Sequence, residues 1–490
     1  MNSTFRLALA VPLLATAAWL SACAGDKATP LSSELFSQVS LEGLGLPTAL
    51  AAVRSQDTST HLQASDAAAG DVFGAAVALS RDGNTLAVGA DLKTITGATE
   101  AVPAAGSVYV YTRTPRGWRE QARLLAPLPT SGSGFGHSLT LSDDGSRLAV
   151  GAPFESHAAA RAGESLAGDQ GVVYVFERID SAWSQPARLL ASNAASFDWF
   201  GMSLSFAGAG DTLAVGAHRH DVRDGQGAHT DSGAVYVFAR TAAGWTEQAV
   251  LTASETLEGA QLGKSVALSQ DGQTLAAAAH ASGLGAVHMF RRDGALWREQ
   301  AVVAAANATP QNPLGSQIAL SADGTTLAVG ASAPEGTEAR QRSAGSAYVF
   351  VNQAGQWRQT ARLRASNSRT GDAFGERLSL SADGRVLAVS AVNESSAARG
   401  LGGEQADATA QAAGAVYVYS RQGQRWDQTD YVKSSRTRTG DQFGSALALS
   451  GDGRQLAVGA RLEDGARSLR GWLLGERPQN SGGVHLYSRG

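Results

Sequence analysis

The chain has 490 residues, of which 43% are hydrophobic, and its formal net charge is −4 at pH 7. This apolar content is enough for a large core, and although a chain of this length usually holds about three domains, all-β domains often run long as one. The charge argues against nucleic-acid binding, because phosphate recognition needs a clustered basic excess.

The N-terminal segment has the features of an export signal. One basic residue, Arg6, precedes an apolar run from about Leu7 to Trp19, which is too short to span a bilayer comfortably and is typical of a signal-peptide core. Cys23 is the single cysteine of the chain, so an intrachain disulfide framework and a cysteine-based metal site are both excluded. The segment Leu20–Cys23 reads LSAC and resembles a lipobox, the cleavage and lipidation signal of bacterial lipoproteins.

This resemblance implies acylation of the Cys23 sulfur and stable anchoring, since several acyl chains on one residue hold a membrane far more firmly than one chain does. Ala24 follows the cysteine, which implies export to the outer membrane of a cell that has one. The alternative is an ordinary secretory signal with a chance cysteine. We expect a signal peptide at residues 1–22, a lipidated tether at 23–58 and a folded domain at 59–490, located in the cell envelope.

Seven copies of one sequence pattern fill residues 71–490. Each copy opens on a bulky apolar residue followed by glycine, and the spacing of roughly 50–70 residues fits propeller blades better than helical solenoid repeats. The opening pairs are Phe73-Gly74, Phe135-Gly136, Phe200-Gly201, Leu262-Gly263, Leu314-Gly315, Phe374-Gly375 and Phe443-Gly444.

Each copy holds four short apolar runs that are separated by turn residues. Such runs, bounded by Gly, Asp and Ser, predict strands, and Asp82-Gly83 is a strong hairpin signal. In the first copy the runs are Ala75–Ser80, Leu86–Ala90, Val108–Tyr111 and a run from Trp118 to about Leu125.

A four-stranded sheet that is apolar on both faces must pack against neighbours, and a radial arrangement of seven such sheets achieves this. The seventh copy stops at Val484–Gly490, after its third strand, whereas His61–Ser65 matches the ends of earlier fourth strands such as Leu189–Ser192. We therefore predict an all-β, seven-bladed β-propeller of four-stranded antiparallel blades, closed by an N-terminal strand that completes the last blade.

The repeats resemble the FG-GAP repeats of integrin α-subunit propellers, and more closely a bacterial variety. The resemblance covers about residues 59–490 and rests on the Phe-Gly openings, on the second strands that read LAVGA and on third strands of the type VYV followed by an aromatic residue (Leu86–Ala90, Leu148–Ala152, Leu213–Ala217, Leu327–Ala331, Leu456–Ala460, Val173–Phe176, Val235–Phe238, Val416–Tyr419). It implies a non-enzymatic scaffold that binds partners on the face of its 2–3 loops.

Two features depart from that family. Integrin-type repeats often carry a calcium loop between the first and second strands, but here this connection is a tight turn such as Arg81–Asn84, with one or two carboxylates. Calcium needs about six to eight oxygen ligands, so we predict no calcium in these turns. The fourth blade has Leu262 for Phe, Ala276–Ala279 for the AVGA run and His288 for Tyr, and still has the pattern of a blade.

The repeated residues have packing interpretations. Phe73 and its counterparts fill gaps between blades, each stabilising by about 1.5–3 kcal/mol through burial, and the glycine after each permits close backbone approach. The six repeat tryptophans suggest either sugar-stacking platforms or packing near a blade edge, and their regular recurrence favours packing (Trp118, Trp183, Trp245, Trp297, Trp357, Trp426).

The 2–3 loops and the connections between blades share one face. The 2–3 loop is very short in blade four, at His280–Leu284, and long in blades two, six and seven, at Pro153–Gln170, Val392–Ala413 and Arg461–Gly482. Long loops on a rigid scaffold are where binding usually resides. We expect them to form a protein- or glycan-binding surface, with Trp472, Leu473 and Leu474 as contacts, unless these three pack back onto the propeller.

The third blade holds the one constellation with metal-ligand residue types, His218, His220, Asp221, Asp224, His229 and Asp231. Such residues suit a divalent ion, but short His/Asp clusters are common in solvated loops. We predict no metal there and no cofactor.

Catalytic motifs are absent from the sequence, which has no G-x-S-x-G elbow, no H-E-x-x-H and no P-loop. The sequence favours a monomeric adhesion or binding scaffold for an unidentified protein or glycan. Two alternatives stay open: a polysaccharide hydrolase or lyase with carboxylates in the propeller mouth, and a structural envelope component.

Overall fold

In the computed structural model, the four apolar runs of each repeat form the four strands of one antiparallel sheet. The structure describes residues 59–96, 100–157, 168–225, 227–280, 283–333, 338, 343–465 and 479–489, of which the side chain of Asp224 is not described. The predicted signal peptide, Cys23 and the tether lie outside the described residues.

The sheets follow one another along the chain as blades one to seven. Their strands are Ala76–Leu79, Thr85–Ala90, Ser107–Thr114 and Gly117–Leu124 in blade one; Ser138–Leu141, Arg147–Ala152, Val172–Ile179, Ala182–Trp183 and Ala187–Leu189 in blade two; Ser203–Phe206, Thr212–Ala217, Ala234–Thr241 and Gly244–Leu251 in blade three; Leu262–Leu268, Thr274–Ala279, Ala286–Asp293 and Leu296–Val303 in blade four; Ile318–Leu320, Thr326–Ala331, Ser346–Gln353 and Gln356–Leu363 in blade five; Phe374–Leu380, Val386–Ala391, Ala415–Gln422 and Arg425–Lys433 in blade six; and Phe443–Leu449, Gln455–Ala460, Gly483–Ser488 and Thr60–Leu62 in blade seven. The all-β, seven-bladed prediction is confirmed.

Three short β pairings are added to the four-stranded pattern of the blades. Ile95–Thr96 pairs with Ala101–Val102, and Val222–Asp224 pairs with Gly227–His229, each as a short hairpin in a 2–3 loop. Gly400–Leu401 pairs with Val432 and Lys433 at the outer edge of blade six. Within the described residues, no helix has the length and apolar character needed to cross a bilayer.

The 1–2 turns are held by their own aspartates. In blade five, Asp323 Oδ1 accepts hydrogen bonds from Ser321 Oγ at 2.5 Å and from the Thr325 N–H at 3.0 Å. Partial burial raises the pKa of Asp323, but these hydrogen bonds outweigh it and the pKa falls below its usual value. The Asp323 carboxylate is thus engaged in closing the hairpin.

The same turns join the blades into a circle. One backbone N–H of each turn donates to a carbonyl of the next, from Asp143 to Gly208, Gly208 to Gln270, Gln270 to Ala322, Ala322 to Ala382, Ala382 to Gly451 and Gly451 to Arg81, at 2.8–2.9 Å. The Asp82 N–H completes the circle by donating to the Asp143 carbonyl at 3.4 Å. Because the hydrogen bonds return to their starting turn, blade one lies beside blade seven.

The two chain ends of the propeller meet in blade seven. Thr60, His61 and Leu62 lie opposite Leu486, His485 and Val484 in antiparallel register. The N-terminal strand that the sequence placed at His61–Ser65 lies at Thr60–Leu62, and it fills the outer position that a fourth strand fills in the other blades.

The bulky residue of each opening pair packs between two blades. Phe73 is fully buried and contacts Leu86 and Val88 of its own blade together with Val484 and Leu486 of blade seven. The glycine after it is required by close approach, because a Cβ on Gly74 would lie 2.6 Å from the carbonyl oxygen of Gly483 in blade seven. Repetition of these contacts makes the core a series of interblade layers.

Candidate binding site on the loop face

The fold gives the propeller two unlike ends. One end, the turn face, carries the Asp-Gly turns between first and second strands. The other end, the loop face, carries the 2–3 loops and the connections that lead into each Phe-Gly pair. Since a first strand starts where a second strand finishes in an antiparallel pair, residues after Phe-Gly and residues after the second strand lie close together on the loop face.

An axial cavity of about 220 Å³ is lined by the first strands near the loop face. Its lining includes Lys264, Arg377 and His137, and among the described residues it includes no Asp or Glu. The Arg377 Nε donates to the Ser445 carbonyl at 3.0 Å, and His137 Nδ1 lies 2.8 Å from Asp91 Oδ2. The walls of the cavity therefore carry more positive than negative charge.

An aromatic row extends from this cavity across the loop face of blades two and three; it consists of His137, Phe154, Trp199, His218 and Arg219. Successive rings meet edge to face, with centroids 5.5, 5.4 and 5.4 Å apart from His137 to His218. The Arg219 guanidinium lies over the Trp199 ring, 4.1 Å from its centroid. Stacking of this kind keeps the guanidinium charge next to a flat apolar surface.

The strands position the row by bringing loop residues together. Phe154 follows the second strand of blade two, whereas Trp199 precedes the Phe-Gly pair of blade three and takes a positive φ of 57°. Positive φ is uncommon for a bulky residue and is retained where the surroundings impose it. Next to the row, Phe197 also has a positive φ, of 66°, and its side chain is 55% exposed.

The charges around the row keep its buried histidine neutral. Burial lowers the pKa of His218 well below its usual value, and the cations of Lys264 and Arg219 lower it further. Burial likewise lowers the pKa of His280 to about 4, although a backbone contact with Leu314 opposes this. The loop-face end of the axis thus disfavours further positive charge and favours anionic groups.

Three polar atoms of the row have no hydrogen-bond partner among the described residues. They are Trp199 Nε1, His218 Nδ1 and Arg219 Nε, and each is buried. A buried polar group without a partner costs about 1–3 kcal/mol, so native structures rarely leave several together. The indole donor of Trp199 and the Nε donor of Arg219 thus have no acceptor among the described residues.

The six blade-three residues considered for a metal have separate partners. His220 Nδ1 lies 3.0 Å from Asp198 Oδ2, whereas His218 packs on Trp199. Asp221 accepts a hydrogen bond from the backbone of Asp231, and His229 and Asp224 lie on the two strands of the short hairpin. Among the described side chains, these residues form no group of three ligand atoms close enough to share an ion.

The long 2–3 loops are described in part. Residues 158–167 of blade two and 466–478 of blade seven, with Trp472, Leu473 and Leu474, lie outside the described residues. In blade six the long loop packs on its own blade: Gly400–Leu401 joins the sheet edge, and the Glu394 carboxylate pairs with Lys433 Nζ at 2.7 Å.

The six repeat tryptophans lie on the fourth-strand side of each blade. All are half-buried and pack against the apolar layers between blades. This arrangement favours the packing interpretation over sugar stacking.

The geometry of the blades agrees with a known repeat. A family model described as FG-GAP repeat matches residues 58–111, 183–238 and 357–419. The chain carries FG-GAP repeats in these three places. Each matched segment runs from a fourth strand to the third strand of the following blade, and the first match begins just before Thr60–Leu62, in the place of a fourth strand.

Solved structures with a similar backbone include hydrazine synthase from Kuenenia stuttgartiensis, with 13% identity, a TM-score of 0.49 and coverage of 81% of this chain and 94% of that one. They also include the WD40 repeats of RRP9, with 12% identity, a TM-score of 0.52 and coverage of 88% and 97%. At such identity the second likeness concerns the fold alone. A search of curated proteins found no matching sequence.

Sequence reasoning missed the aromatic row of this propeller. Trp199 is outside the six-tryptophan repeat pattern, which is the signal that distinguishes it, and Phe154 opens a long loop. The contact between them joins two blades, so it follows from the radial arrangement and not from local sequence.

Proposed function

We propose that this FG-GAP propeller is a partner-binding scaffold of the cell envelope, and that the aromatic row binds a protein segment or glycan that carries carboxylates. The observation that carries the proposal is the Arg219 guanidinium stacked on Trp199, 4.1 Å from the ring centroid, beside a cavity that is lined by Lys264 and Arg377. A carboxylate offers two acceptor oxygens, and charge-assisted hydrogen bonds to a guanidinium are among the strongest that proteins form.

The surroundings support this choice of partner. Lys264 and Arg377 line the neighbouring cavity and attract anions to this end of the axis. Phe197 adds an exposed apolar surface beside the row. A flat aromatic and a stacked arginine together form the kind of anchor that dominates binding energy at interfaces.

The proposal includes lipid anchoring through Cys23 at the outer membrane of a two-membrane cell, with residues 23–58 as tether. It also holds that the protein is not an enzyme. The glycan hydrolase alternative needs a pair of carboxylates in the axial mouth, and the described lining of the cavity offers none.

The test is capture by the immobilised full chain from envelope extracts, with binding to polygalacturonate as a defined acidic probe and dextran as the neutral one. Trp199→Ala and Arg219→Gln should each weaken capture by about 30-fold, the effect of losing about 2 kcal/mol at a binding anchor.

The matched controls are Leu296→Ala and Arg298→Gln on the outer strand of blade four, where both side chains are more than half exposed. They should bind as the unmodified protein does. Equal binding by the row variants and the controls would refute the proposed surface, and selective binding of a protein without polygalacturonate binding would assign the carboxylates to a polypeptide.

A further inference from the structure

His61, Glu463 and His485 meet where the first and last strands of the propeller pair. His61 and His485 lie directly opposite each other in the register of these strands, and their ring centroids are 4.6 Å apart. Glu463 follows the second strand of blade seven and reaches between them, with Oε2 at 2.7 Å from His485 Nε2 and Oε1 at 3.0 Å from His61 Nε2.

These three side chains are shielded from solvent. The exposed fraction is 0% for His485, 1% for Glu463 and 16% for His61. Their ligand atoms all lie within 4.8 Å of one another, and no other group of three His, Cys, Asp or Glu in the described part of the chain does this.

Hydrogen bonding does not account for the whole contact. His485 Nε2 and Glu463 Oε2 are hydrogen-bonded. By contrast, His61 Nε2 and Glu463 Oε1 form an ion pair at 3.0 Å without hydrogen-bond geometry, and Arg436 Nη1 lies 3.8 Å from the same carboxylate oxygen. An imidazole nitrogen and a carboxylate oxygen are both ligands that a divalent ion such as zinc takes.

The equivalent residues of blade two show what is particular to blade seven. There, Tyr174 occupies the position of His485, Arg188 that of His61 and Glu155 that of Glu463. The Tyr174 hydroxyl donates to Glu155 at 2.8 Å, and Arg188 lies 3.3 Å from the same carboxylate. Blade two thus satisfies its buried carboxylate by a hydrogen bond and an ion pair, whereas blade seven offers two imidazoles.

We propose that His61, Glu463 and His485 bind one divalent transition-metal ion, with zinc the best fit, which fastens the N-terminal strand of the propeller to its last strand. Zinc takes imidazole nitrogen and carboxylate oxygen at about 2.0–2.2 Å, which places tetrahedral ligand atoms about 3.3 Å apart, close to the present spacing. For the neutral His485 imidazole to bind the ion through Nε2, its proton moves from Nε2 to Nδ1, and water or Ser434 Oγ, 3.3 Å from His485 Nε2, is available for the remaining position.

The site is independent of partner binding at the aromatic row, and its consequence is mechanical. Its ligands come from both ends of the folded domain, so an ion bound there links strands that no covalent bond joins. A ligand that binds the folded state alone raises Tm in proportion to the logarithm of its concentration over Kd.

The experiment uses the untagged full chain with Cys23→Ser, so that the one thiol does not contribute. Titration with Zn²⁺ by calorimetry should give one site per chain, and Co²⁺ should give visible d–d absorption. Zinc at a free concentration 100 times Kd should raise Tm by about 3 °C, and chelator should reverse this.

His61→Ala should weaken Zn²⁺ binding by at least about tenfold and reduce the rise in Tm to about half or less, whereas Arg188→Ala, at the equivalent position of blade two, should leave both unchanged. Glu463→Gln, which keeps the side-chain shape, serves as the second variant should His61→Ala fail to fold. The proposal would be overturned if the protein bound neither Zn²⁺ nor Co²⁺ up to millimolar concentration. It would also be overturned if His61→Ala and Glu463→Gln bound Zn²⁺ as tightly as the unmodified protein does.

Discussion

Gly330 lies in the second strand of blade five, at a junction where the backbone of blade six leaves no room for a side chain. A Cβ at this position would lie 2.0 Å from the carbonyl oxygen of Gly375 and 2.6 Å from Ser316 Oγ, whereas real Cβ contacts are essentially never under 3.0 Å. The Gly330 N–H donates to the Gln317 carbonyl, and the Gly330 carbonyl accepts from the Gly315 N–H, both at 2.8 Å. These hydrogen bonds hold the strand in place, so its backbone cannot move away from blade six. Gly330→Ala must therefore push the two blades apart by about 1 Å.

We expect this substitution to lower the free energy of unfolding by about 1–3 kcal/mol, the usual cost of overpacking. This figure is net of a small stabilisation, because alanine restricts the unfolded chain more than glycine does. The matched control is Gly225→Ala, where an added Cβ meets nothing within 4 Å and φ is ordinary; its effect should stay within about 0.5 kcal/mol. Guanidinium unfolding followed by tryptophan fluorescence measures both midpoints. Equal midpoints for the two variants would refute the close packing of blades at the Phe-Gly pairs.

Three further predictions concern buried charge and anchoring. Lys433→Met leaves the Glu394 carboxylate, 1% exposed, without its cation and should cost about 3–5 kcal/mol, whereas the double variant with Glu394→Gln should recover most of this in a denaturant-unfolding cycle. Burial raises the folded-state pKa of Asp441 from 3.8 to about 7, so its contribution to stability is present below about pH 4 and is lost as the pH rises through 7. Asp441→Asn should therefore have the same stability as the unmodified protein at pH 4 and a higher stability at pH 8, by at most about 4 kcal/mol. Thermal unfolding between pH 4 and pH 8 measures this difference. Cys23→Ser should move the protein from the membrane fraction to the soluble fraction of cells that process lipoproteins, and retention of the variant with the membrane would contradict anchoring through this residue.

The architecture follows from local sequence because each blade repeats the same short-range signals. The Phe-Gly openings, the Asp-Gly turns and the apolar third strands each predict one feature of a blade. Phe73 and Tyr109 are fully buried, and Asp323 accepts a hydrogen bond within its turn. Blade two departs in its outer strand, which is divided between Ala182–Trp183 and Ala187–Leu189. Pro186 lies in the gap, and proline cannot donate a ladder hydrogen bond.

The candidate sites were harder to predict because each joins residues from different blades or chain ends. Trp199 and Phe154 meet across a blade junction, and nothing in the spacing of either residue predicts the contact. Blade seven does contain a signal, since His485 stands where most third strands have Tyr, but its significance depends on His61 lying opposite. The blade-three cluster had the right residue types in sequence, yet the chain directs His218 and His220 to different partners.

The pairing of the chain ends is the claim on which the closed ring and the proposed metal site depend, and a disulfide tests it most directly. Thr60 and Leu486 are opposite each other in the register, and residues so paired have Cα atoms about 4.5–5.5 Å apart, within disulfide range. Thr60→Cys with Leu486→Cys, in the Cys23→Ser background, should form an intrachain bond on mild oxidation, seen as a reductant-sensitive mobility shift, whereas Thr60→Cys with Asp271→Cys on the turn face should not. Free thiols or only intermolecular bonds in the first variant would contradict closure of the ring by the N-terminal strand.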